Sequence, residues 1–365
     1  MSAAPARPDH AAWDAFVASA DPGSYLQLRA WAEVKRSNGW SARDVRADAP
    51  AGPVGAQVLI RPLRPMPWSI AYAPRGPVTA SWDADAIASF TEAARRMLVA
   101  AGRVSHLRID PEIEADGRLD RDGTIRAALR AQGWQPAAPV QPNMTRLIDL
   151  RTDEAGLWAG LRKKWRQYVN RARALGVRVV EADGDRLPEF HRIYRETARR
   201  AGFIIRAESA YRDIWDAYAR DGLARLLFAE GSDGSPVATL LLLRCGPRVT
   251  EPYGGMTRAG GETRANYLLK WEAIRRSREA GAATYDMWGL SHPGIAQFKA
   301  GFGGRDVEYI GAWDLVLDPT GRRFVDAARR ASTWVARLRH GLGPRAGLST
   351  NTWRGTGGDP DGGAV

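Results

Sequence analysis

Apolar positions along the chain fall into two alternating rhythms, and the order in which the rhythms change is the first clue to organisation. From 84 to 101, Ile87, Phe90, Ala94, Met97 and Leu98 recur at helical spacing and predict one buried helix face. Before them, 54–64 and 68–75 are extended by pattern, with Pro62, Pro65 and Pro67 marking the turn between them. After them, 105–110 reads as a buried strand that ends on Asp110, and a further helix closes at Gly133-Trp134. Nearer the amino terminus, a helix is expected from Ala11 and a second from Gln27 to Arg36, stopped by Asn38-Gly39.

The second half repeats the order. Residues 225–230, 236–245 and 248–253 read as strands, 262–280 as a helix and 284–288 as another short strand ending near Asp286. Two strands, a helix and a strand closing near an aspartate therefore occur twice, which we read as the duplication of one α/β unit with mixed sheets. A spacing of roughly 180 residues is far longer than a solenoid repeat. The same run also arises by chance, so the order alone leaves coincidence open.

Between the halves, Leu157, Leu161, Trp165, Tyr168, Ala172 and Leu175 form a stripe on one expected helix over 153–175, stopped by Gly176. Arg162, Lys163, Arg166, Asn170 and Arg173 occupy its remaining surface. A basic helix is expected from Pro319 to about Arg339, and the Gly- and Pro-rich tail is expected to be disordered. The expected boundaries are a first domain over 1–149, a second over 150–317, a helix over 318–342 packing back on the first, and a tail over 343–365.

Composition narrows the classes. The 365 residues are 44% hydrophobic and 26% charged, enough apolar material for two cores at roughly 100 to 200 residues per domain. Cys245 is the one cysteine, which excludes an intrachain disulfide and a multi-cysteine zinc site, and the five histidines lack metal-ligand spacing. No metal or cofactor is expected. The amino terminus has no signal-like apolar core, and no stretch reaches the roughly 18 apolar residues of a membrane span, so a cytoplasmic location is expected. A net charge of +12 attracts polyanions such as RNA or an acidic lipid surface without choosing between them.

Candidate chemistry concentrates between Pro252 and Gly304. The run Pro252-Tyr-Gly-Gly places two glycines where a ligand, another backbone or a tight turn would need them. The helix beginning at Ala265 offers free N–H groups that suit an anion as well as an ordinary helix start. Gln297-Phe-Lys-Ala-Gly-Phe-Gly-Gly304 sets Lys299 beside Phe298 among glycines. In a partly dry pocket that lysine would stabilise an oxyanion; the plainer alternative is a surface lysine in a flexible loop.

Taken in order, Pro252-Tyr-Gly-Gly, Asn266-Tyr-Leu-Leu-Lys-Trp-Glu, Tyr285-Asp-Met-Trp-Gly-Leu and Gln297-Phe-Lys-Ala-Gly-Phe-Gly-Gly resemble the carboxy-terminal signature of the Fem family of peptidoglycan bridge-forming aminoacyltransferases. Earlier segments agree: 24–35 is similar to that family's first helix region, Arg108-Ile-Asp-Pro111 to its first-domain strand end, and 161–171 to its basic inter-domain helix. The resemblance spans about 12–317 and implies two tandem GNAT-like acyltransferase domains. It implies Lys299 as the catalytic lysine with Phe298 beside it, and Lys35, Asp110, Arg206, Tyr211 and Tyr253 as binders of a nucleotide-sugar peptide or lipid-linked precursor. Aminoacyl-tRNA is the implied co-substrate. Residues 177–223 leave no room for the coiled-coil arms of staphylococcal-type members, so a compact member is expected. The rivals are an acyl-CoA-dependent GNAT-like enzyme, faintly suggested by Arg258-Ala-Gly-Gly-Glu-Thr263, and an RNA-binding protein, suggested by charge and by 14 tryptophans.

Overall fold

A computed structural model of the chain describes residues 8–290 and 293–328. They form two units, one from residues up to 141 together with those from 309, the other from 142 to 308.

In the first unit, α1 (Pro8–Ser19) and α2 (Arg29–Arg36) precede β1 (Ser41–Ala49), β2 (Gly52–Pro62), β3 (Ser69–Ala73) and the short β4 (Val78–Thr79). Helix α3 (Ala84–Ala100) leads to β5 (Val104–Ile109), then α4 (Thr124–Ala131) and β6 (Trp134–Ala137). Asp83 starts α3 by accepting from the Ala86 N–H at 2.7 Å, satisfying a donor that has no partner within the helix. Ile87, Phe90, Ala94 and Leu98 then pack into a core with Val58, Leu107 and Ile109.

The second unit runs through β7 (Met144–Asp149), α5 (Glu154–Gly160), α6 (Lys163–Ala174), β8 (Arg178–Ala182), α7 (Leu187–Ala201), α8 (Glu208–Ala219), β9 (Ala224–Glu230) and β10 (Pro236–Cys245). It continues with β11 (Arg248–Met256), α9 (Arg258–Glu262), α10 (Ala265–Glu279), β12 (Thr284–Asp286), α11 (Pro293–Ala300) and β13 (Arg305–Glu308). Strands β9 and β10 are nearly continuous apolar runs because both faces are covered. Leu227, Ala229, Leu240 and Leu242 join the core with Leu268, Trp271 and Ile274 of α10, while the alternate Leu226, Phe228, Leu241 and Leu243 are buried on the face where α7 and α8 pack.

The duplication expected from the sequence is present in the topology. One sheet has the order β1-β2-β3-β5-β14-β6, with β14 spanning Ala312–Val316. The other has β9-β10-β11-β12-β7-β13, with β8 added beside β9. In each, the pairing after the first helix crossover (β3 with β5, β11 with β12) is parallel and the remaining pairs along these paths are antiparallel.

The fifth place in each order is filled by a strand from the other half of the sequence. Strand β7 leaves β6 and inserts between β12 and β13, while β14 returns after β13 to sit between β5 and β6. The expected boundaries at 149/150 and 317/318 are therefore corrected to 141/142 and 308/309. Short half-polar strands carry little periodic signal, and their sheet is chosen by pairing with distant partners. The same weakness hid β6, β8 and β13, and β1 was hidden because Val45 is its single buried position.

The expected helix over 153–175 is two. Leu161 and Arg162 are extended, with ψ of 140° and 142°, and the Arg162 N–H donates to the Gly301 carbonyl at 2.9 Å instead of within the helix. Arg166 caps the end of α5 by donating to the carbonyls of Ala159 (2.9 Å) and Leu161 (2.6 Å). Leu157, Leu161 and Ala172 are buried as expected, but Leu175 is exposed and Val169 takes its place inside. Past β14, residues 319–328 are helical, and Phe324 stacks on Trp68 with centroids 5.1 Å apart. The rest of the expected basic helix and the tail lie outside the described residues.

His106, buried on β5, makes a pH prediction. Burial, helped by Arg322 and Arg108 and opposed by Asp314, pushes its imidazole down to about 4. The unfolded chain takes up the proton near 6.5 and the folded chain does not until about 4, so this contribution is complete above about 6.5 and is lost as pH falls through that window. The loss is expected to reach roughly 2–3 kcal/mol at pH 4. A denaturation series from pH 7 to 4 checks it, and His106→Gln should flatten that part of the profile.

Candidate active site

Lys299 lies in the last turn of α11, not in a loop. Its ammonium donates to three consecutive carbonyls just beyond β12: Met287 at 2.6 Å, Trp288 at 2.9 Å and Gly289 at 2.8 Å. These are as many bonds as an ammonium has protons, so the cation clamps the strand end. The side chain is half-buried overall, with its charged end inward. Burial, reinforced by the charge of Lys270 and opposed by Glu251 and Asp286, pushes the group down to about 8.

Asp286 fixes the strand end from the other side. It accepts from Thr145, Arg248 and, at 2.8 Å, the Trp288 N–H. One residue back, the Tyr285 hydroxyl donates to Glu251 at 2.7 Å, and Lys270 of α10 bonds the other oxygen of the same carboxylate.

Phe298 faces an aromatic wall. Its centroid is 5.2 Å from Tyr267, 5.4 Å from Phe302 and 6.4 Å from Trp165, and its carbonyl accepts from the Trp165 indole at 3.0 Å. Gly301 is required here because a Cβ would run into the Trp165 ring. The outer rim is basic: Arg264 and Lys164 lie 4.6 and 5.6 Å from the Tyr168 ring, which contacts Tyr267 at 4.8 Å. The break at Leu161-Arg162 makes this rim possible, since it ties the start of α6 to the turn that follows Lys299.

Arg206, Tyr211 and Tyr253 also come together in the second unit. The Tyr211 ring is 5.3 Å from Tyr253 and 5.8 Å from Tyr194, and its hydroxyl accepts from the Arg206 N–H at 3.3 Å. Burial raises all three phenols well above or above their ordinary range, Arg206 opposing it, so they act as neutral donors and packing surfaces. The glycines after Tyr253 serve packing: a Cβ on Gly255 would strike Thr197 of α7, and one on Gly254 the Thr239 carbonyl of β10. Close approach of another element, not a turn, explains them.

In the first unit, Asp110 sits at the end of β5 and is only 3% exposed. It accepts from the Tyr72 hydroxyl at 2.8 Å and the Arg75 N–H at 2.7 Å, and burial raises its carboxyl against the pull of Arg75. Lys35, at the end of α2, lays its ammonium 4.6 Å from the Trp31 ring.

The acyl-CoA alternative loses its sequence motif. Residues 258–262 form α9, and its amides are occupied: Arg258 N–H by Glu196 at 2.9 Å, Gly260 N–H by the Thr257 hydroxyl at 3.1 Å, and Gly261 N–H by the Thr257 carbonyl at 3.1 Å. A pyrophosphate needs such amides free. A cavity of about 530 Å³ elsewhere in the second unit is lined by Arg225, Arg244, Arg275 and Arg276, but these guanidiniums are tied to Glu181, Glu272, Glu279 and helix-end carbonyls.

Sequence reasoning missed Lys270, Glu251 and Tyr285. The available signal was a lysine inside the apolar run Leu268-Leu-Lys-Trp271, a position where a charge is costly without a partner.

Comparison with known proteins finds similarity along most of the chain. The lipid II:glycine glycyltransferase of Staphylococcus haemolyticus is 24% identical over 84% of this chain and 91% of its own length. The crystal structure of FemX superposes with a TM-score of 0.76 at 22% identity, covering 89% of this chain and all of that one. A tandem GNAT protein from the clavulanic acid biosynthesis pathway matches at 0.50 and 14% identity over 86% of this chain and 97% of its own, so the fold is the tandem GNAT-like α/β arrangement. The FemAB family matches residues 9–231 and 223–330, nearly the whole described chain, and the protein belongs to that family.

Proposed function

We propose that the protein moves an amino acid from aminoacyl-tRNA to the side-chain amine of a peptidoglycan stem peptide, carried on lipid II or on the soluble UDP-MurNAc-pentapeptide. The observation that carries this reading is the Lys299 ammonium held at an aromatic-walled, basic-rimmed site. Support comes from relatives that are named lipid II:glycine glycyltransferases.

The donor is an activated ester, so positioning and charge stabilisation can supply most of the rate. The acceptor amine attacks the aminoacyl carbonyl, the new C–N bond forms, the bond from carbonyl carbon to ribose oxygen breaks, and the amine proton finishes on the released ribose hydroxyl. Lys299 lowers the energy of the oxyanion by its charge, or by exchanging one of its three carbonyls for that oxygen. Phe298 and Tyr267 keep the site dry, which strengthens the charge. The rim from Arg162 to Tyr168 with Arg264 suits a phosphate backbone and exposed bases. Arg206, Tyr211 and Tyr253 are the candidate precursor-binding cluster of the second unit, and Lys35 and Asp110 are candidate precursor-binding residues of the first.

With only α7 and α8 between β8 and β9, the protein is a compact form, which suits addition of the first bridge residue. Among the described residues no helix is long and apolar enough to cross a membrane, and a lipid-linked acceptor would be met at the inner membrane surface from the cytoplasm.

The test supplies purified protein and a muramyl-pentapeptide precursor with charged tRNA or with acyl-CoA, and follows product mass. Charged tRNA is expected to yield a precursor heavier by one amino-acid residue, and acyl-CoA none. Product from acyl-CoA alone overturns the reading.

A further inference from the structure

Beneath the lysine clamp lies a buried charge pair that the proposed reaction, as written, does not use. Lys270 is 5% exposed and Glu251 7%, and they bond one another in the core of the second unit. A buried ion pair seldom stabilises a fold better than two well-packed apolar residues, because desolvating both charges offsets their attraction. Ala273 and Ile274, which share the face of Lys270 on α10, are buried, so apolar side chains fit this helix face. A pair kept under such conditions points to a use for the charge.

Its connections lead to the transfer site by two routes. The Lys270 ammonium lies 5.8 Å from the ring of Phe298, the neighbour of Lys299. Glu251 takes the Tyr285 hydroxyl at 2.7 Å, and Tyr285 begins the strand end whose next carbonyls, from Met287 to Gly289, hold the Lys299 ammonium.

We propose that Lys270, held by Glu251, whose other oxygen accepts from Tyr285, is a positioning residue of the transfer site, whose buried charge sets the protonation of Lys299 and whose ammonium seats Phe298. The groups that set the field at Lys299 are Lys270 on α10, Glu251 on β11 and Asp286 on β12. Asp286 is already neutralised by Arg248 and hydrogen-bonded by Thr145. That leaves the Lys270–Glu251 pair as the adjustable element. Lys270 opposes the charge on Lys299, in the same sense as burial and the depressed position of that ammonium, whereas Glu251 favours the charge. The role in transfer rests on the function proposed above, whereas the electrostatic coupling does not.

The experiment therefore reads Lys299 directly. Trace acetylation of the intact protein with acetic anhydride from pH 6 to 10, with the Lys299 peptide quantified by mass against the exposed Lys163, gives the pH midpoint of Lys299 reactivity. The wild-type midpoint is expected at about 8. Lys270→Met should raise it by at least about half a pH unit, and Glu251→Gln should lower it. The double variant Lys270→Met/Glu251→Gln leaves no unpaired buried charge and should fold even if a single variant does not. Its midpoint is expected above wild type but below that of Lys270→Met. A midpoint unmoved in both Lys270→Met and the double variant overturns the proposal, as does a rise in Glu251→Gln. In the transfer assay the alkaline limb of the rate profile should move with the labelling midpoint. If the wild type transfers nothing from aminoacyl-tRNA, the functional reading falls while the labelling result still decides this one.

Discussion

Lys299→Met is expected to lower single-turnover transfer by about 10³-fold or more while leaving precursor affinity within about threefold. Methionine keeps the length and apolar contacts of the stem and removes only the charge and its three hydrogen bonds. Lys299→Arg is expected to fail nearly as badly, because a planar fork cannot meet three carbonyls converging on one point. Product formation in a quenched time course, with calorimetric titration of the precursor, separates the two effects. Unchanged turnover in Lys299→Met would remove the assigned role.

The same lysine predicts a pH limit. Its ammonium loses the proton at about 8, against an ordinary value of 10.5. Transfer that depends on the charged form should therefore decline as pH rises through about 8. The sign for stability is opposite: the folded state disfavours the charge, and this cost fades as pH rises from about 8 towards 10.5. Losing the ammonium is not expected to unfold the protein, so a melting curve close to wild type should accompany the lost activity.

The second large effect concerns stability. Arg108→Met is expected to cost about 3 kcal/mol or more in denaturant unfolding. Arg108 on β5 grips Asp314 on β14 through two bonds of 2.7 Å and reaches the Ala138 carbonyl past β6 at 3.2 Å. It thus ties together the three strands whose order depends on the return of β14. The side chains are 5% and 3% exposed, so removing the cation leaves a carboxylate out of water with only Arg322 beside it. Burial opposes ionisation of Asp314, but Arg108 and Arg322 outweigh it and hold the carboxyl below its usual range. Arg108→Met/Asp314→Leu should recover much of the loss, since a neutral pair needs no partner. Equal destabilisation in the single and double variants would mean that packing, and not the unpaired charge, set the cost.

How much of this was legible beforehand depends on the reach of each interaction. Strands β9 and β10, helix α3 and the buried face of α6 follow from neighbours two to four positions apart, and they were readable as periodicity. Phe298 and Lys299 stood out as an aromatic and a cation among glycines, but the residues alone left a surface lysine in a loop as an open alternative, and a role for them came only from the family resemblance. That resemblance did not show that Lys299 would be a helix residue bound to three carbonyls.

Local pattern determined that there are two similar α/β units and where their apolar faces lie. Only tertiary structure decided that β7 and β14 each join the sheet of the opposite half, that the helix at 161 breaks to meet Gly301, and that Lys270 finds Glu251. Those outcomes turn on partners 19 to more than 200 positions apart, as between Lys270 and Glu251 or Arg108 and Asp314. A chain's local periodicity reports which residues leave water, whereas the choice of partner for a buried charge or an open strand edge is made only when distant segments compete for it.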